Sequence, residues 1–398
     1  MTSSKRPWIS EYVAATGSKP VTGRTWGPKD LLNDRGFDMS RFGDGDAFID
    51  RLLGYRIDLR APPSTSGQPQ SVGCFDDSLT LRPTLDGPLP FESLRHAPTT
   101  NGTAASAEFA KAVATPGAVW FARQFVPKWN KLTGKGQTVA ILDSGIAPEL
   151  AELPRAAGHT DFCDCEHVAA DAYDDDGHGT CCAGVVAAHW KQRDRVAVAP
   201  DCRLLAAKIT RNGNATTTLV DILLMLSWAV HRGARVVSMS FCASEPNVAA
   251  KGPPDILGTI AQRLRARKKA LIFAAAVEQD GDLGYPAKLP GIIAVGPYVE
   301  GGTGGIVPWA ATPDKWQRKH AAGELLFAPG ADLPTLLPDG RGFRFGSASG
   351  ACAFAAGLAA LYFEQGLAFE KVLAEMRRRS TPVSPAAPPR TPLYCVKL

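Results

Sequence analysis

The chain has 398 residues, 45% of them hydrophobic and 21% charged, a composition ordinary for a globular protein and a length that allows a large core and more than one domain. Its 44 Lys and Arg against 39 Asp and Glu leave a formal charge of +5, with no long basic run interleaved with aromatic residues, so no nucleic-acid partner is expected. No apolar stretch reaches membrane-spanning length without interruption, and the first twenty residues carry no apolar signal-like core; the expectation is a cytoplasmic protein with no membrane partner.

Residues 1–115 are rich in Gly, Pro, Ser and Asp, broken by short apolar patches at 48–59 and 79–85. They read as a small α+β or loop-rich domain. Stretches 61–73 and 96–106 have linker composition, and the second marks a boundary because the helical patterns AEFAKAVA and WFARQFVPKWNKL follow it. From Lys135 apolar runs alternate with helical segments. QTVAILDSGI (137–146) reads as a buried strand closed by Asp143, Ser144 and Gly145. GTCCAGVVAAHW (179–190) is a small-residue helix, and CRLLAAKIT (202–210) is a strand. LVDILLMLSWAVHRG (219–233) is an apolar helix with a Gly stop, followed by the strand ARVVSMSF. ILGTIAQRLRARKKA is a helix with a basic outer face, and ALIFAAAV is a strand again.

Near the C-terminus FGSASGACAFAAGLAALYF (345–363) runs from a Gly/Ser turn into an Ala-rich helix. The stretch 380–392 is Pro-rich and reads as extended surface chain. This alternation predicts an α/β fold, a three-layer αβα arrangement around a mostly parallel sheet. The expected organisation is an N-terminal domain over 1–115, the α/β domain over 116–380 and a Pro-rich tail over 381–398. Nine cysteines, an odd number with Cys181 and Cys182 adjacent, fit free thiols better than a disulfide framework.

In an open α/β sheet, reactive groups gather at the carboxyl ends of the strands. Asp143 closes the first predicted strand of the α/β domain. His178 lies in DDDGHGTCCAG, between a turn and the start of a small-residue helix. Ser349 stands in a small-residue turn at a helix N-terminus, where backbone N–H groups point outward toward a developing oxyanion. Singly, each also fits a structural role: a turn aspartate, a loop histidine, a capping serine. Together they point to nucleophilic catalysis by an Asp, His and Ser set. Cys163, Cys165 and His167 suggest zinc, but C-x-C-x-H lacks the usual paired spacing, so neither a metal nor a cofactor is expected.

These blocks resemble the subtilase family of serine proteases over roughly residues 118–365. ILDSGI resembles the family's Asp motif, and DGHGTCCAGVVAA its HGT-x-x-AG motif. VAVAPDCRLLAAKI is similar to the strand region that follows. VVSMSF resembles the substrate-edge strand, GYPAKLPGIIAVG (284–296) the YPA block, and APG (328–330) the segment before the Ser motif. The resemblance implies a subtilisin-like fold and a serine endopeptidase acting on a peptide or protein through an acyl-enzyme. In it Ser349 is the nucleophile, His178 the general base and Asp143 the group that orients the imidazole. It also implies substrate contacts from Ser240, Phe241 and Cys242, and from Ala274, Ala275, Ala276 and Val277. The N-terminal domain is then a propeptide, or a recognition or regulatory module through which a partner acts. An unrestrained cytosolic protease would be hazardous, so a narrow substrate such as a precursor peptide is expected.

Two departures matter. The family's Gly-Thr-Ser with a following Pro becomes Ser347-Ala348-Ser349 with Ala353. Where the family places the Asn that donates to the oxyanion, AAAVEQ puts Val277 and Glu278, and a carboxylate cannot donate a hydrogen bond. A protonated Glu278, the amide of Gln279 one residue on, or the Ser349 backbone N–H alone could serve. Val277 and Cys242 stand where glycine usually lines the primary pocket, so a shallow pocket is expected. The loop HWKQRDRVA is basic and predicts no strong calcium site there. A transpeptidase or a peptide-binding pseudoprotease are the alternative readings.

Overall fold

The computed structural model describes residues 56–58, 131–147, 150–154, 156, 158–161, 174, 176–189, 197–209, 216–242, 256–279, 282–300, 306–308, 324–330, 333–383 and 393–395. The two linkers, the helical pattern before Lys131, the Cys163, Cys165 and His167 trio and the basic loop at 190–196 lie outside the described residues, as does most of the N-terminal region.

Five strands form the middle of one ten-stranded sheet. β2 (Thr138–Asp143), β4 (Arg203–Lys208), β6 (Val236–Met239), β7 (Leu271–Ala275) and β10 (Ile293–Glu300) are near-continuous apolar runs. Strands covered on both faces need apolar side chains on both, which is why these segments do not alternate. β3 (Gly158–Asp161) continues the sheet beside β4, and β12 (Leu325–Pro329) continues it beside β10. The pairs β3·β4, β4·β2, β2·β6, β6·β7, β7·β10 and β10·β12 are all parallel. β11 (Ile306–Pro308) pairs antiparallel with β10. Beyond β12 the sheet continues into the tail that composition set apart. β16 (Leu393–Cys395) pairs parallel with β12, and β15 (Thr381–Val383) pairs antiparallel with β16. Pro382 is tolerated in β15 because that strand is an edge.

Helices form the other layers. α1 (His178–Ala187) and α4 (Ser347–Glu364) pack together against the sheet, and α2 (Leu219–His231) and α3 (Ile256–Lys268) pack together against it as a second pair. This is the three-layer αβα arrangement expected. α4 is buried from Ser347 to Phe363, so it has no polar stripe, and its small residues let neighbouring chain approach closely. A Cβ on Gly357 would come within 2.8 Å of Val198 Cβ. α5 (Phe369–Arg378) is amphipathic instead: Val372 and Met376, one turn apart, are buried, and Arg377 and Arg378 sit in its last turn, where cations suit the helix dipole.

Two hairpins and one further ladder complete the description. β13 (Leu333–Leu336) and β14 (Gly342–Phe345) pair antiparallel just before α4. β8 (Glu278–Gln279) pairs with β9 (Asp282–Leu283). From the N-terminal region, β1 (Arg56–Asp58) pairs antiparallel with β5 (Thr216–Thr218), which leads directly into α2.

α1 lies against β13 so tightly that a Cβ on Gly184 would fall 2.0 Å from Thr335 Oγ1, whose hydroxyl donates to the Cys181 carbonyl at 2.6 Å. Gly184→Ala is expected to destabilise the fold by about 1–3 kcal/mol, through overpacking and loss of that buried hydrogen bond. An unchanged urea midpoint for this variant would show that α1 and β13 are not so closely apposed.

Candidate active site

The chain starts the sheet at β2, adds β3 and β4 on one side, and then crosses to add β6, β7, β10 and β12 on the other. The reversal falls between β2 and β6, and in open α/β sheets the crevice for ligands lies at the carboxyl ends of strands at such a point. Asp143 is the last residue of β2, and Ser240 follows the last residue of β6. The first residue of α1 is His178, and Ser349 stands in the first turn of α4.

They form two hydrogen-bonded pairs, Asp143 with His178 and Ser240 with Ser349. His178 Nδ1 lies 2.8 Å from Asp143 Oδ1, and both residues are buried. An acceptor at Nδ1 keeps the proton on that nitrogen and leaves the lone pair on Nε2. Asp143 Oδ1 also accepts the Ser144 N–H at 2.8 Å, while Oδ2 has no hydrogen-bond partner among the described residues. Ser349 Oγ donates to the Ser240 carbonyl at 3.0 Å, and Ser240 Oγ returns a bond to the Ser349 carbonyl at 3.2 Å. The Phe345 ring meets the His178 ring edge-on, with centroids 5.4 Å apart, an arrangement that restricts the imidazole.

Around this pair lies a buried polar shell that the sequence reading did not single out. Asp174 Oδ1 accepts from Ser144 Oγ (2.8 Å), the Asp176 N–H (3.1 Å) and the Gly177 N–H (2.7 Å). Its Oδ2 accepts from the Thr180 N–H (2.8 Å) and Thr180 Oγ1 (2.5 Å). Ser144 Oγ accepts the Gly179 N–H, Thr180 Oγ1 accepts the Ala147 N–H, and the buried Lys208 ammonium donates to the Ser144 carbonyl at 2.6 Å. An acidic side chain at a helix start satisfies N–H groups that have no partner within the helix. The three consecutive aspartates ahead of His178 were the available signal.

Charge at the site follows from this shell. Burial by itself disfavours the imidazolium, but the Asp143 carboxylate, by charge and hydrogen bond, and Asp176 and Asp174 behind it, hold the His178 pKa above its ordinary value. Asp176, whose carboxylate accepts the His178 N–H at 3.2 Å, is itself pushed up to about 7, first by burial and then by the charge of Asp174. Cys182 Sγ lies 3.8 Å from His178 Nδ1, yet burial and then the Asp143 charge push its thiol well above its ordinary value, and burial does the same to Cys181. Both stay protonated near neutrality, which disfavours a nucleophilic role. Asp143, His178 and Cys182 bring ligand atoms within 4.8 Å of one another. A metal would need the Cys182 proton removed and the bond between Asp143 and His178 broken, so the donor set does not suit one.

The predicted substrate-contact residues fall beside this centre. β6 and β7 are parallel neighbours, with Met239 opposite Ala274, so Ser240, Phe241 and Cys242 run on beside Ala275, Ala276 and Val277 at the same end of the sheet. Phe241, Cys242 and Val277 are buried, the Ala276 N–H donates to Val295 O, and Val277 O accepts from the Gly284 N–H. Glu278 and Gln279 form β8, and their side chains lie outside the described residues.

A three-layer αβα domain with an Asp and His pair at its switch point and a serine at an adjoining helix N-terminus has the makeup of a serine hydrolase. The chain belongs to the subtilase family, whose model matches residues 134–375. Its relatives are named serine proteases, so the enzyme class is that of peptide hydrolases. It is 27% identical over 271 residues to the intracellular serine protease of Paenibacillus polymyxa, covering 64% of this chain and 77% of that one. It is 28% identical over 273 residues to the major intracellular serine protease of Bacillus subtilis (strain 168), covering 64% and 79%. The solved structure of MycP1 from Mycobacterium smegmatis superposes with a TM-score of 0.53 at 19% identity, covering 75% of this chain and 85% of that one. This last likeness is one of fold.

Asp176 generates a pH prediction. Its folded pKa of about 7 lies above the ordinary 3.8, so its stabilising protonated form is fully present below about pH 4 and is lost as pH rises through 7. Asp176→Asn keeps the oxygen that accepts the His178 N–H and removes the charge. Denaturation should find the variant and wild type alike near pH 3.5, with the variant more stable by up to about 4 kcal/mol at pH 8. The acid limb of activity should also move to lower pH, because one carboxylate supporting the imidazolium is gone. Equal stability at pH 8 would mean that Asp176 is ionised without penalty.

Proposed function

We propose that this subtilase is an endopeptidase working through a triad of Ser349, His178 and Asp143 on a narrow peptide or protein substrate. The observation that carries the reading is the 2.8 Å bond between Asp143 Oδ1 and His178 Nδ1, formed at the switch point where Ser349 meets the end of β6. Ser349 Oγ turns from the Ser240 carbonyl toward the scissile carbon, and Nε2 of His178 takes its proton as the new C–O bond forms. The imidazolium, stabilised by Asp143, returns that proton to the leaving amine. Water then attacks the acyl-enzyme by the same route. No metal or cofactor enters the sequence.

Extended substrate pairs with the backbone of Ser240, Phe241 and Cys242, as a strand added to an open edge. With Cys242 and Val277 in place of smaller residues, the pocket for the residue on the acyl side is shallow and takes small side chains. The N-terminal region acts as a regulatory or recognition element, a reading supported by the pairing of Arg56–Asp58 with Thr216–Thr218 next to α2. No single helix among the described residues is long and apolar enough to cross a membrane. With relatives named intracellular serine proteases, this supports a cytoplasmic site of action.

A peptide library read by mass spectrometry tests the reading. Cleavage with gain of one water after Ala, Gly or Ser is expected, and Ser349→Ala should lower turnover by about 10⁴-fold or more. Cleavage mainly after aromatic residues would overturn the shallow pocket. Products joined to an amine without gain of water would make the enzyme a transpeptidase instead.

A further inference from the structure

Ser347 is a buried residue with φ of +72°. Among the described residues one other non-glycine has positive φ, Lys269, which directly follows α3, where left-handed residues commonly end a helix. No helix end accounts for Ser347, which opens α4. A non-glycine residue in this region carries backbone strain, and glycine would carry none. Strain of this kind persists when the surroundings enforce it, and they do. The Ser347 N–H donates to the Gly330 carbonyl at 2.8 Å, and a Cβ on Gly330 would lie 2.2 Å from Pro297 Cβ and 3.1 Å from the Ser347 carbonyl oxygen. The backbone is pinned from outside, and the question is what the serine side chain does there.

Among the described residues its hydroxyl meets one partner. Ser347 Oγ accepts the Ser349 N–H at 3.3 Å, a long bond, as suits a donor able to be shared with a second acceptor. In the triad reading that N–H belongs to the nucleophile itself and is the backbone donor to the oxygen on which charge develops when Ser349 Oγ adds to a carbonyl. A hydroxyl accepts and donates at once. With a substrate in place, Oγ can go on accepting from the Ser349 N–H while its own proton turns toward the developing oxyanion. Glu278 stands where related enzymes place an amide donor, and a carboxylate has no hydrogen to give.

We propose that Ser347 is a catalytic residue, the side-chain hydrogen-bond donor to the oxyanion of this protease. This rests on the triad reading above. No proton changes owner at Ser347: the serine proton passes to His178, the carbonyl π pair moves onto oxygen, and the Ser347 hydroxyl only points its hydrogen there.

A small alkyl fluorophosphonate tests the assignment without knowledge of the natural substrate, since its phosphoryl oxygen takes the oxyanion position as Ser349 is phosphonylated and fluoride leaves. Ser347→Gly removes the hydroxyl together with the backbone strain. It should unfold at a higher temperature than wild type and yet be phosphonylated about 100-fold more slowly at saturation, with the half-saturating concentration unchanged. Ser347→Ala, which keeps the strain, should show the same loss of rate. A Ser347→Gly protein that labels as fast as wild type would overturn the assignment and leave the hydroxyl a local cap. Absence of labelling in folded wild type, matching Ser349→Ala, would overturn the triad reading, and with it this one.

Discussion

Asp174 is buried beneath the site with both of its oxygens engaged, accepting from the Ser144 and Thr180 hydroxyls and from the N–H groups of Asp176, Gly177 and Thr180. Burying a carboxylate is costly unless hydrogen bonds replace its water shell. Here five donors do so, and the positive end of α1 adds to them. The bonds tie the turn after β2 to the turn that opens α1. Asp143 lies on the first of these segments and His178 on the second, so Asp174 holds together the two segments that make the 2.8 Å contact. Lys208, donating to the Ser144 carbonyl from β4, anchors the same turn to the neighbouring strand.

A different principle positions the serine side of the site. α4 is a buried rod of Ala, Gly and a few large apolar residues, with polar contacts at its two ends, where Ser349 pairs with Ser240 and Glu364 accepts the Thr133 and Gly134 N–H groups. Its place is fixed by close packing, with Gly357 against Val198 and Gly350 against Leu333 and Phe345. Packing at this density leaves little freedom, so the N-terminus of the helix arrives at Ser240 in one register. Phe345, at the end of β14, then contacts both halves, meeting the His178 ring and lying under Gly350. This aromatic side chain adds to the direct packing of α1 on α4 that joins the two halves of the site.

The electrostatics of the site follow from the same burial. Asp143, Asp174 and Asp176 surround His178 at low exposure, and their combined charge favours the imidazolium. The cost appears at Asp176, whose carboxyl is held partly protonated near neutrality. A site built from three acids and one histidine therefore couples stability to pH through a residue outside the proposed triad.

Much of this architecture was readable in the sequence. Near-continuous apolar runs closed by turns located β2, β4, β6 and β7, because parallel strands covered on both faces need such runs. The small-residue helices after His178 and Ser349 could be read because a buried helix has no polar stripe to display. The Asp, His and Ser blocks named the chemistry from residue types alone. What the sequence could not show was which side chains meet across long separations. Asp174 looked like one of three interchangeable aspartates, and only the fold made it the hub and made Asp176 the strained acid. Ser347 read only as a departure from the family's glycine until its positive φ and its bond to the Ser349 N–H were seen. The tail from 381 onward looked like surface chain, since three-residue strands carry too little periodicity to register and form only where a sheet edge offers partners. Residue chemistry determined the class of reaction; hydrogen bonding and packing between distant segments, which no local pattern encodes, decided how the site is held.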